Sequence, residues 1–181
     1  RQGAQSARSL ASPASTADEV AGQLMQRSRY FRIDWVLVDQ LAIGPAPRAE
    51  RHLDRLREAG IKCVLSLCSP DEATPPAGLG ERFRTSRYVL PDHRSGRLPT
   101  LAELENALGH LAALQQHCPV FVHCVAAMER SPLVCLACLV RQHRMSPERS
   151  LDYLMQQHPG TNPLPGQLAL LHELRVQPTA A

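Results

Sequence analysis

No run of about 18 apolar residues occurs anywhere in the 181-residue chain, so no segment reads as a transmembrane helix. Charge of one sign is scarce as well. The net charge is +3 and the basic residues are scattered, which is too little for a nucleic-acid footprint. Internal repeats are absent, excluding a solenoid or array. The first residues hold no secretory apolar stretch. The six cysteines (Cys63, Cys68, Cys118, Cys124, Cys135 and Cys138) lack the setting of a disulfide frame. The chain is too long and too rich in core residues for that, and most of these thiols sit inside apolar runs. A reducing, cytoplasmic location is therefore expected. An organelle reached through a removed targeting peptide is the alternative, and Asp18 and Glu19 argue against it.

What the chain does contain is 44% hydrophobic and 20% charged residues, the balance of a globular protein with a real core. Residues 1–29, rich in Ala, Ser, Gln and Arg, read as a flexible tail. Residues 30–176 read as one domain, and 177–181 as a C-terminal tail. A strand or hairpin is expected over 35–44, and a helix over 48–59 closed by Gly60. A buried strand follows over 61–67, then a Pro- and Gly-containing loop over 70–80. Residues 87–90 read as a short strand leading to Pro91-Asp92. Pro99 and Thr100 open a helix whose stripe is Leu101, Leu104, Leu108, Leu111 and Leu114. The central strand is expected over 119–123 and helices over 131–144, 147–157 and 166–176, the second with Pro147 at its first position. This alternation predicts an α/β fold: a mostly parallel central sheet of four to five strands with helices on both faces.

The most informative segment is Val122-His123-Cys124-Val125-Ala126-Ala127-Met128-Glu129-Arg130-Ser131. It follows an apolar strand and precedes a helix, at the strand end where open α/β sheets bind ligands. A strand–loop–helix junction of this kind gathers backbone N–H groups around one point and adds the positive end of the helix dipole. A thiol there is expected to be a thiolate near neutral pH. Arg130 offers a planar fork matched to two phosphate oxygens. Nucleophile and oxyanion cradle together are what phosphoryl transfer through a cysteine intermediate requires.

His-Cys-x5-Arg-Ser resembles the active-site loop of the cysteine-dependent protein tyrosine phosphatase superfamily, and within it the small dual-specificity type; the similarity runs over residues 34–174. The resemblance implies Cys124 as nucleophile and residues Val125, Ala126, Ala127, Met128, Glu129 and Arg130 as the phosphate cradle. It also implies that Ser131 donates to the sulfur and that His123 orients the loop. Ser131 reads equally as a helix N-cap. Asp92, in Leu90-Pro91-Asp92-His93, is the expected general acid and base, with Asp71 and Glu72 as rivals that read more naturally as a turn. In some relatives a cysteine placed like Cys68 forms a reversible disulfide with the nucleophile, which makes Cys68 a possible redox partner.

Two departures from the family pattern stand out. Ala127 occupies a position where the family has Gly, at a cost on the order of 1 kcal/mol if positive φ is needed there. Glu129 places a negative charge beside the site and disfavours multiply phosphorylated ligands. Cys135-Leu136-Ala137-Cys138 lies in an apolar helix without a second ligand pair, so core packing rather than zinc is expected. Most of His110, His117, His143, His158 and His172 read as surface or loop residues.

The function so implied is metal- and cofactor-independent hydrolysis of phosphate monoesters by a monomer, with phosphoprotein (Ser, Thr or Tyr) as substrate and neither nucleic acid nor membrane as partner. The alternatives are an inactive phospho-binding module, a phosphatase of a small metabolite or glucan, a rhodanese-type sulfurtransferase, and a thiol-based arsenate reductase.

Overall fold

A computed structural model describes residues 30–117 and 119–174; the expected tails at 1–29 and 177–181, the end of the last helix, and Cys118 lie outside the described residues. Strands β1 (Asp34–Leu37) and β2 (Leu41–Gly44) form the expected hairpin. Helix α1 (Glu50–Glu58) follows, ended by Gly60 at φ +86°. Next come β3 (Cys63–Ser66), the short α2 (Leu79–Arg82) and β4 (Arg84–Arg87). A 3₁₀ turn at His93–Ser95 leads to α3 (Leu101–Gln115), β5 (Val120–His123), α4 (Arg130–His143), α5 (Pro147–Gln157) and α6 (Pro165–Glu173).

The five-stranded sheet runs β1-β2-β5-β3-β4, antiparallel only at the β1–β2 hairpin. Strand β5 is thus central, and Val120, Phe121, Val122 and His123 are all buried because both faces are covered. On one face, α3, α4, α5 and α6 bring Leu104, Leu111, Leu133, Leu136, Leu154 and Leu171 against Ile43, Leu65 and Val122. On the other, α1 and α2 press Leu53, Leu56 and Leu79 onto Ala42, Val64 and Phe121. Phe121 leaves no room beside Gly44, where a Cβ would lie 2.1 Å from the Arg32 carbonyl oxygen.

Local signals fix several boundaries. Thr100 and Glu103 form a reciprocal capping box at the start of α3, and Ser146 caps α5 just before Pro147. Two expectations are corrected. The fourth strand is Arg84–Arg87, not 87–90: its outward residues are polar, so the alternation that marks a half-buried strand is missing. Residues 88–90 still follow the edge, Tyr88 and Leu90 donating to the Ser66 and Leu67 carbonyls at 3.0 and 3.1 Å. Ser131 does not cap α4, because the helix begins one residue earlier and its N-cap position is Glu129.

Candidate active site

The loop between β5 and α4 is held from outside, through its carbonyl oxygens. His123 Nδ1 donates to the Cys124 carbonyl at 2.9 Å. The Ala46 N–H donates to the Val125 carbonyl at 3.1 Å, and the Asn162 N–H to the Met128 carbonyl at 2.7 Å. The Ala127 carbonyl accepts from His158 Nε2 at 2.6 Å. In a trans peptide the N–H of the following residue points opposite to the carbonyl. These four outward carbonyls therefore turn the N–H groups of Val125, Ala126, Met128 and Glu129 away from the scaffold, toward the cleft. That makes a cradle for an anion, at the N-terminus of the 14-residue helix α4. Ala127 closes it at φ +58°, the left-handed conformation for which the missing glycine would be suited.

Cys124 lies at the floor, 3% exposed, with its Sγ 3.2 Å from Ser131 Oγ. The first turn of α4 thus spends the Ser131 hydroxyl on the sulfur. His123 is fully buried, and burial pushes its pKa down to about 4. It is therefore neutral, with the proton on Nδ1 facing the Cys124 carbonyl, and Nε2 accepts from Ser66 Oγ at 2.7 Å.

Arg130 is 4% exposed, and both its Nη nitrogens are bonded. Nη1 donates to the Leu90 carbonyl and to Glu72 Oε2 at 3.1 and 3.2 Å, and Nη2 to Glu72 Oε1 at 2.8 Å. Those bonds hold the Glu72 carboxyl below the usual carboxylate range. Glu72 does form the expected turn, its N–H donating to the Ser69 carbonyl at 3.2 Å. It is also the partner of Arg130, which local sequence reasoning missed.

Asp92 caps the 3₁₀ turn by accepting from the Arg94 N–H at 3.0 Å, and its Oδ2 takes Arg94 Nε at 2.8 Å. Oδ2 stands 3.8 Å from Arg130 Nη2 at the cleft edge. Partial burial pushes the Asp92 carboxyl up, but the Arg94 bonds and the charges of Arg130 and Arg94 outweigh it and leave it lowered. Arg94 also reaches Glu72 at 3.0 Å, so one exposed arginine clamps both carboxylates.

The charge of Glu129 is tied off rather than presented to a ligand. Its oxygens meet His93 Nδ1 at 2.9 Å and Gln167 Nε2 at 2.7 Å. Arg97 turns to Glu103. His158, expected as a surface or loop residue, lies on the segment after α5 but is buried, 5% exposed. Cys68 is buried with Ala46 and Ala73 against Val125, and burial pushes its thiol up despite the nearby Arg130. Cys135 and Cys138 are core residues of α4. Among the described residues no group of three or more His, Cys, Asp or Glu gathers to hold a metal ion, and no helix is long and apolar enough to cross a membrane.

An open cleft of about 410 Å³ overlies the cradle, lined by Asp92, His93, Arg94, Cys124, Val125, Ala126, Met128, Glu129, Arg130, Asn162 and Leu164. Cys124, Arg130 and Asp92 therefore share one opening.

Comparison with known proteins agrees with this geometry. The family model "Dual specificity phosphatase, catalytic domain" matches residues 42–177. Phosphatidylglycerophosphate phosphatase PTPMT2 of Arabidopsis thaliana is 23% identical over 141 residues. That match covers 77% of this chain and 61% of the relative, so the chain spans about three fifths of its length. Among solved structures, Tk-PTP in its active form superposes with a TM-score of 0.68 at 22% identity, over 78% of this chain and 95% of that one. PTPMT1 in complex with PI(5)P gives 0.67 at 20% identity, over 78% and 92%. A mouse putative dual specificity phosphatase gives 0.64 at 26% identity, over 78% and 84%. With three quarters of its length matched and its cysteine, arginine and serine gathered on one cradle, this chain belongs to the dual specificity phosphatase catalytic-domain family, a family of phosphoric monoester hydrolases.

Proposed function

We propose that this chain hydrolyses phosphate monoesters through a phosphocysteine on Cys124. The observation that carries the reading is the sulfur at the floor of an N–H-lined cradle, 3.2 Å from Ser131 Oγ and beside an Arg130 held rigidly by Glu72. The Cys124 thiolate attacks phosphorus as the P–O bond to the leaving group breaks. Arg130 and the loop N–H groups carry the charge on the phosphoryl oxygens. Asp92, protonated, gives its proton to the leaving oxygen. In the second step water attacks the phosphocysteine, Asp92 takes its proton, and Ser131 donates to the departing sulfur. His123 orients the loop and exchanges no proton.

Phosphoprotein is the substrate class this reading favours, and the form of the cleft supports it. The cleft is open and shallow, which suits phosphorylated Ser and Thr as well as Tyr side chains of a protein. A lipid headgroup is the second reading. Val125, Ala126, Met128 and Leu164 give the rim an apolar face, and a curated relative is named for phosphatidylglycerophosphate. Glu129 directs its two carboxylate oxygens to His93 and Gln167. Cys68 remains the candidate redox partner: peroxide would oxidise Cys124 to the sulfenic acid, and the Cys68 thiol would displace water to form the disulfide.

The test is hydrolysis of a small aryl phosphate under reducing conditions without added metal. Wild type should turn over, Cys124→Ser should abolish turnover, and Asp92→Asn should cut it by about 100-fold or more. A wild type that binds vanadate but never turns over would establish an inactive phospho-binding module instead. Phosphopeptides and phosphatidylglycerophosphate in detergent micelles, compared by kcat/KM, then separate the two substrate classes.

A further inference from the structure

His158 sits on the segment between α5 and α6, 31 residues beyond the loop carbonyl it touches. Both its ring nitrogens face acceptors. Nε2 lies 2.6 Å from the Ala127 carbonyl oxygen, and Nδ1 lies 2.6 Å from Asp34 Oδ2. A carbonyl can only accept. Burial pushes the Asp34 carboxyl up, but the His158 bond and the Arg32 guanidinium outweigh it and hold it below the ordinary range, so it too is an acceptor. His158 thus ties the Ala127 carbonyl to Asp34, which Arg32 holds in turn.

What this histidine grips is the most strained peptide of the cradle. Ala127 holds φ at +58° without being glycine, and its carbonyl direction decides where the Met128 N–H points. The other outward carbonyls are held by a neutral histidine or by backbone N–H groups. The His158 bond, backed by Asp34 on the other ring nitrogen, stands where the backbone most needs holding.

We infer that His158, fixed by Asp34, is a positioning residue that locks the Ala127–Met128 peptide with its N–H toward the bound phosphate. The inference rests on reading the loop as a phosphate cradle. It predicts which atom of the histidine matters: Nε2, which holds the loop, rather than Nδ1, which holds Asp34. Glutamine at 158 can place its amide near Nε2 and donate to the Ala127 carbonyl without charge. Asparagine places its amide near Nδ1, reaches Asp34, and leaves the carbonyl without its donor.

The experiment compares wild type, His158→Gln and His158→Asn by vanadate affinity, by kcat and KM on an aryl phosphate, and by the ¹⁵N shift and hydrogen exchange of the Met128 amide. His158→Gln should stay within about threefold of wild type in vanadate affinity and kcat. His158→Asn should lose roughly tenfold or more in both, with a displaced and faster-exchanging Met128 amide. A residue that merely packs would lower thermal stability in both variants and leave them alike in affinity. Equal affinities for the two variants, or a Met128 amide unmoved in His158→Asn, would overturn the inference. A wild type that neither binds vanadate nor turns over, with the amide still responding to Asn and not to Gln, would sink the phosphatase reading and keep the loop-positioning role.

Discussion

Glu72 and Arg130, 58 residues apart in sequence, face each other as two planar groups joined by parallel bonds of 3.2 and 2.8 Å. The pairing makes Glu72 a support of the proposed phosphate site without requiring it to touch phosphate. Arg130 is buried, and a buried guanidinium without its carboxylate is costly. Glu72→Gln should keep one acceptor for Arg130 but lose the fork. Stability should fall by about 2 kcal/mol, and kcat/KM on an aryl phosphate by about 10- to 100-fold. Urea unfolding and steady-state kinetics check both. Unchanged kcat/KM would show that the Leu67 and Leu90 carbonyls alone suffice to aim Arg130.

Arg94 governs when Asp92 carries a proton. Its two bonds and its charge help hold the Asp92 carboxyl below the usual range. The proposed first step needs the protonated acid. Arg94→Gln removes the side-chain bond and the charge, so the Asp92 pKa should rise. The alkaline limb of the kcat/KM profile should then move to higher pH. A limb that stays in place, or moves down, would separate Asp92 from the proton transfer.

His123 should make the fold acid-sensitive. Its pKa is about 4 when folded, against about 6.5 for an unperturbed histidine. Between those values the unfolded chain binds a proton that the folded chain refuses, so acid favours unfolding. The contribution is fully present above pH 6.5 and is lost as pH falls toward 4. A shift of that size amounts to about 3 kcal/mol. Asparagine can place its amide near Nδ1 and donate to the Cys124 carbonyl without titrating. Urea unfolding at pH 7 and 4.5 should therefore show a smaller acid loss in His123→Asn. Identical losses in the two proteins would rule out His123 as the source.

Restoring glycine at position 127 should not stabilise the protein. Relief of the left-handed strain gives about 1 kcal/mol. Against it stand a buried methyl, about 0.8 kcal/mol, and the extra freedom of glycine in the unfolded chain, about 0.5–1 kcal/mol. Ala127→Gly is expected to be equal to wild type or up to about 1 kcal/mol less stable. Thermal and urea unfolding would show the strain to be larger than this if the variant were the more stable protein.

The site was legible in sequence wherever local chemistry marks it. His123, Cys124, Arg130 and Ser131 lie within nine residues, on a strand, a turn and a helix whose apolar patterns are plain. The capping box of α3 and the glycine closing α1 are likewise local signals. Glu72, His158 and Asp34 were not legible in their roles. Each meets its partner across 31 to 124 residues, and nothing beside it in the chain differs from an ordinary turn, loop or strand residue. Strand β4 was misplaced because its residues, Arg84-Thr85-Ser86-Arg87, carry polar side chains at a sheet edge, where pairing comes from the neighbouring strand. Tyr88-Val89-Leu90 looks more like a strand and lies just past it.

The outward carbonyls of the loop are gripped by residues from opposite ends of the domain: Ala46 before α1, and His158 and Asn162 after α5. The cradle is therefore complete only when the first hairpin and the last helices have docked on the central strand. Oxyanion affinity then reports cooperative assembly. Vanadate or phosphate should raise the unfolding midpoint of the whole domain by mass action, while a chain cut before position 158 should be insensitive to either ion.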